Sequence, residues 1–160
     1  MTQYSRIVVK AGTSLLTGGT DELDRDMIGD IVKQISLLHS EGLEMLLVTS
    51  GAVAAGKGVY LGHLPNGNVL PSKQILAAIG QSRLMQVYEE EFNGYGIPTA
   101  QALLSHRDVY DRIGYLNLRS TLSGLLEHRI VPVITENDVV AIDELSYRIF
   151  GDNANISALV

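Results

Sequence analysis

The sequence predicts an α/β protein: a three-layer α/β/α sandwich built on a mostly parallel sheet. Short apolar or β-branched runs at residues 6–9, 45–48, 97–104 and 130–135 alternate with helical periodicities at 25–39, 72–92 and 112–128. Strands that are apolar on both faces need cover on both sides, and strict alternation with helices implies right-handed crossovers between parallel strands. A chain of 160 residues, 46% hydrophobic and without cysteine, has enough apolar surface for one domain that needs no covalent staple.

Each element has its own local reason. The run at 6–9 ends in Lys10-Ala11-Gly12 and so reads as a central strand entering a glycine loop. Asp24 offers an N-cap to a helix over 25–39, in which Met27, Ile28, Ile31, Val32, Ile35 and Leu38 share a face, and Glu41-Gly42 supplies the stop. After the strand at 45–48, Thr49-Ser50-Gly51 and a stretch of small residues should start another helix. Residues 58–71, with three glycines and two prolines, read as a loop. The longest helical pattern, 72–92, is closed by Asn93-Gly94-Tyr95-Gly96; residues 139–150 alternate enough to suggest a short hairpin, and 152–160 begin a last helix.

Composition removes several function classes. A net charge of −6 without a dense Lys/Arg run argues against a nucleic-acid surface. No apolar stretch reaches the about 20 residues of a membrane span, so a cytoplasmic location is expected and no membrane partner. Without cysteine, thiolate chemistry and cysteine-based zinc sites are excluded. The histidines His39, His63, His106 and His128 lack His-x-x-x-His spacing and read as surface or helix-end residues, so no metal ligand is assigned. Arg83, Arg107 and Arg119 read as surface pairing residues, and the tyrosines and phenylalanines as packing.

The chemistry sits at the loops. In open α/β sheets, ligands bind beyond the carboxyl ends of the strands, where Lys10, Ser50, Asn137-Asp138 and Asp152-Asn153 are expected to meet. Lys10 followed by Gly12, Thr13 and Ser14 suggests an amide nest with a mobile cation for a phosphate. It is neither a Walker A loop nor a Gly-x-Gly-x-x-Gly loop. Ser50-Gly51-Ala52 lies where a helix N-terminus favours a carboxylate or phosphate, or where Ser50 simply caps that helix; the two readings are compatible. Asn137 and Asp138 suit a substrate ammonium group, or a turn. Asp152 suits orientation of Lys10 or of a transferring group and Asn153 a substrate contact, although Gly151-Asp152-Asn153 also describes a tight turn.

These four loops, together with Pro71-Ser72-Lys73-Gln74, the run from Ala77-Ala78-Ile79-Gly80-Gln81-Ser82 to Arg83-Leu84, and Asn117-Leu118-Arg119, resemble the amino-acid kinase family, most closely the N-terminal part of its glutamate 5-kinase members, nearly end to end. The resemblance implies ATP-dependent phosphorylation of the L-glutamate side-chain carboxylate to L-glutamyl 5-phosphate, the first step toward proline, with Mg²⁺. It implies Lys10 as the ATP-phosphate lysine; Ser50, Asp138 and Asn153 as glutamate contacts; Asp152 as an acidic residue of the same loop; proline as a candidate feedback inhibitor; and a homo-oligomer. Other members of the superfamily, such as acetylglutamate, aspartate or carbamate kinases, and a non-catalytic glutamate-binding domain stand as alternatives. Two departures follow. Ala154 stands where the family pattern Gly-Asp-Asn-Asp has its last carboxylate. The chain also stops inside what should be the helix before the nucleotide-binding half, so residues 1–160 are expected to be the N-terminal part of a kinase domain, truncated before that half and before the C-terminal PUA-like domain, and poorly active or inactive alone.

Overall fold

The computed structural model describes residues 4–61, 72–105, 108 and 110–140. Its elements run β1 (Arg6–Ala11), α1 (Thr13–Thr17), α2 (Arg25–Ser40), β2 (Glu44–Thr49), α3 (Ala52–Leu61), α4 (Lys73–Asn93), β3 (Thr99–Leu104), α5 (Arg112–Glu127) and β4 (Val131–Glu136). The four strands form one sheet in the order β1-β2-β4-β3, and every pairing is parallel.

Strand alternation divides the core in two. Ile7, Val9, Ala11, Met45, Leu47, Val131 and Val133 face the larger cluster, with Ile28, Val32 and Ile35 of α2 and Leu84, Tyr88 and Phe92 of α4. Val8, Leu46, Val48, Ala102, Leu104 and Ile134 face the smaller one, with Leu122 and Leu126 of α5. This is what right-handed crossovers require. The connections β1→β2 and β2→β3 step along the sheet in one direction and place α2 and α4 on one face; β3→β4 steps back and places α5 on the other.

The helix signals hold where they are local. Asp24 accepts from the Met27 amide at 3.0 Å, Ser72 caps α4 through the Ile75 amide, and Asp111 caps α5 through Gly114 at 2.8 Å. Two expectations are corrected. Thr13 and Ser14 belong to the first turn of α1 rather than to an open glycine loop, with Gly12 as the N-cap residue, its carbonyl accepting from Leu15 and Leu16 at 3.1 Å. Residues 58–61, expected in a loop, are the last turn of α3. Its glycines are poor helix formers, but packing overrides propensity: a Cβ on Gly56 would lie 1.9 Å from the Leu76 carbonyl oxygen, and one on Gly80 1.9 Å from that of Ala52. The two helices cross backbone against backbone, and only glycine fits there. The expected hairpin and last helix lie, apart from Val139 and Val140 in a turn, outside the described residues.

Candidate functional site at the carboxyl end of the sheet

Three of the four expected loops lie within the described residues, at the carboxyl ends of three neighbouring strands. β2 sits between β1 and β4, so the segments after these strands adjoin one another. The ladder continues past the strand ends: the Ser50 amide donates to Ala11 O at 3.1 Å, and the Asn137 amide to Leu104 O at 2.8 Å. Lys10 is exposed, level with Val48, and by alternation stands on the α5 face with Val8. Ser50 is half-buried, Gly51 is buried at φ +108°, and Ala52 opens α3. That positive φ needs glycine. Gly51, whose carbonyl accepts from Ala55 at 2.9 Å, is the residue flanking α3, so Ser50 is not its N-cap.

The mouth of β4 is acidic. Glu136 and Asp138 are both half-buried. Burial pushes the Asp138 carboxyl above its ordinary range, and burial followed by repulsion from Asp138 does the same to Glu136. Burial thus makes the ionised forms of both carboxyls costly, a cost that a bound cation would offset. Behind β2, the buried Thr49 hydroxyl lies 2.7 Å from the Tyr88 phenol of α4 and donates to Ser50 O at 3.2 Å.

The sequence profile described as the amino acid kinase family matches residues 5–160. The chain belongs to that family. It is 50% identical over 158 residues to a protein named glutamate 5-kinase from Dehalococcoides mccartyi (strain CBDB1), covering 98% of this chain and 42% of that relative. It is 48% identical over 159 residues to glutamate 5-kinases from Cronobacter sakazakii and Photorhabdus laumondii, covering 99% of this chain and 42% of each relative. The chain thus spans less than half the length of these curated relatives.

Within this amino acid kinase family chain, the structure places Lys10, Gly12, Ser50, Gly51, Ala52, Asn137 and Asp138 at one end of the sheet, with Thr13 and Ser14 exposed on the first turn of α1. Asp152, Asn153 and Ala154 lie outside the described residues. A cleft of ≈ 300 Å³ opens elsewhere, between α3, α4 and the start of α2, lined by Glu22, Leu23, Arg25, Val59, Arg83 and Val87. It contains none of the expected site residues. The strand-end loops carry the polar chemistry and the cleft is shallow, so we place the candidate site at the loops. Two residues at this end are not marked by the sequence pattern: Glu136, whose one signal is its place directly before Asn137-Asp138, and Tyr88, which reads as packing. Among the described residues no group of three or more acidic or imidazole side chains converges to hold a metal ion.

Proposed function

We propose that residues 1–160 form the acceptor-binding part of a glutamate 5-kinase, which phosphorylates the side-chain carboxylate of L-glutamate to L-glutamyl 5-phosphate. The observation that carries this reading is the 50% identity to a protein of that name across 98% of the chain, the candidate loops included. The nucleotide-binding half and the PUA-like domain then correspond to the further length of the relatives. A cytoplasmic location, a homo-oligomer and inhibition by proline belong to the same proposal; among the described residues, no helix is long and apolar enough to cross a membrane.

Bound ATP would supply the γ-phosphoryl group. Lys10, an exposed point charge on a strand end, neutralises the charge on the transferring oxygens. Gly12, Thr13 and Ser14 line the phosphate side of the same corner. The Ser50 hydroxyl and the start of α3, Gly51 and Ala52, hold a carboxylate of the acceptor. Asn137 and Asp138 hold its ammonium group. A bound ammonium would offset the burial that raises the pKa of the half-buried Asp138. Asp152 orients Lys10 or the phosphoryl group, and Asn153 completes the substrate contacts. The acceptor carboxylate is already ionised near pH 7, so no general base is needed, and positioning with charge neutralisation carries the rate.

The ammonium contact separates glutamate from N-acetylglutamate, which has none. The test is ATP-dependent hydroxamate formation by the gene product carrying this chain, purified from a host without its own glutamate kinase. Turnover should require glutamate, and N-acetylglutamate should be a poor acceptor. Lys10→Ala should lower kcat by about 10²-fold or more at unchanged Tm. Equal use of both acceptors, or a Lys10→Ala enzyme of wild-type rate, would sink the reading.

A further inference from the structure

We infer that Tyr88 is a positioning residue for the candidate site: through the Thr49 hydroxyl it fixes the peptide that joins β2 to α3. Tyr88 is fully buried on α4, where a phenol needs a partner. It meets Thr49 Oγ1 at 2.7 Å, and Thr49 Oγ1 lies 3.2 Å from the carbonyl oxygen of Ser50. A hydroxyl has one proton. If Thr49 gives its proton to Ser50 O, the phenol must donate to Thr49, and the three groups form a one-way relay from Tyr88 to Thr49 to the Ser50 carbonyl. Burial holds the phenol proton in place, pushing its pKa up to about 12, so the donor persists across the working pH range.

The relay ends on the peptide that matters. The Ser50–Gly51 bond is trans, and in a trans peptide the carbonyl and the following N–H point in opposite directions. Holding Ser50 O toward the Thr49 hydroxyl therefore aims the Gly51 N–H away from it. The other end of Ser50 is tied by its own amide to Ala11 O. Gly51, at φ +108°, has no side chain to restrict its rotation. Tyr88 and Thr49 supply that restriction, so the direction of the Gly51 amide and the placement of the Ser50 hydroxyl depend on a residue in the core. The role in substrate binding rests on the function proposed above; the control of the peptide does not.

The test uses Tyr88→Phe in the gene product carrying this chain, with the ring retained and only the hydroxyl removed. The Ser50 carbonyl and Gly51 amide NMR resonances should shift. KM for glutamate should rise about tenfold while kcat changes less than about twofold, the pattern of lost uniform binding. Thr49→Val should reproduce the effect, the double variant should add little to either single one, and Thr49→Ser, which keeps the hydroxyl, should restore the wild-type KM. Unmoved Ser50 and Gly51 resonances in Tyr88→Phe would overturn the inference, as would a lowered Tm with KM unchanged. Resonances that move in a protein without glutamate turnover would uphold the control of the peptide and count against the glutamate reading alone.

Discussion

The two ends of the sheet treat charge in opposite ways. At the amino end, Arg129 sends its guanidinium to the carbonyls of His39, Gly42 and Leu43, where α2 ends, and the His39 ring returns a bond to Arg129 O at 3.1 Å. A helix C-terminus presents unpaired carbonyls and a partial negative charge, so a cation there is stabilising. Arg6 and Glu44 pair nearby at 2.8 Å. At the carboxyl end, Glu136 and Asp138 are pushed toward the neutral form by burial. A fold selected for stability alone would not keep two half-buried carboxylates that repel. The contrast suggests that one end holds the structure together and the other is kept ready for a ligand.

The largest effect should come from the crossing that fixes α3, and with it the carboxyl end. In Gly80→Ala the new Cβ would lie 1.9 Å from Ala52 O and 2.2 Å from the Gly56 amide nitrogen, both backbone atoms, so α3 must move off α4. A loss of about 3 kcal/mol is expected by thermal unfolding, with glutamate binding lost as well. Gly124→Ala on α5 is the control: nothing lies within 4 Å of its Cβ, and it should stabilise the protein by about 0.5–1 kcal/mol. Equal responses from the two variants would show that the close crossing does not matter.

Arg129 probes the structural end. It is the non-glycine residue with positive φ, +59°, among those described, so its contacts must outweigh backbone strain. Arg129→Ala should lose about 2 kcal/mol through the bonds it gives to the carbonyls of His39, Gly42 and Leu43. Arg129→Gly loses the same contacts but relieves the strain, and should be about 1 kcal/mol more stable than the alanine variant. Neither should change KM for glutamate. A shift in KM would break the separation between the two ends.

Much of this arrangement could be read from the sequence, and what could not has a common cause. The strands and α2, α4 and α5 announce themselves through local periodicity and caps such as Asp24. The loops after β1, β2 and β4 follow from strand ends and small residues. The five residues of α1 are too few to show a period, and the last turn of α3 continues a helix whose Gly56 packs backbone to backbone on α4. The Thr49–Tyr88 bond joins residues 39 apart and the Arg129–His39 contacts residues 90 apart. No window along the chain contains both partners, so these supports appear only once the fold is known.

At the carboxyl end, removing charge should help the fold. For a carboxyl whose folded pKa is raised, the folded state binds more protons than the unfolded one between the two pKa values, so stability falls as pH rises through that window. Asp138→Asn and Glu136→Gln should therefore raise Tm at pH 7, and the gain should vanish below the ordinary carboxylate range, where both states are protonated. Asp138→Asn should also raise KM for glutamate. A lower Tm would mean that Asp138 has a stabilising partner, and the contrast between the ends would fail.

His39 should give the smallest effect and the opposite sign of pH dependence. Burial, then the neighbouring Arg129 guanidinium, holds its pKa below the ordinary 6.5. The ring nitrogen facing Arg129 O must carry a proton to bond a carbonyl, so the neutral ring already satisfies this contact and a second proton only adds charge beside a guanidinium. Here the unfolded state binds more protons in the window below 6.5, so the contribution of His39 is fully present above that pH and is lost as pH falls through the folded value. His39→Gln keeps a donor for Arg129 O but cannot titrate. The difference in Tm between wild type and His39→Gln should be flat above pH 7 and move against wild type on acidification. A difference that stays constant down to pH 5 would show that the ring accepts its proton without penalty, and that the amino end tolerates an added charge beside Arg129.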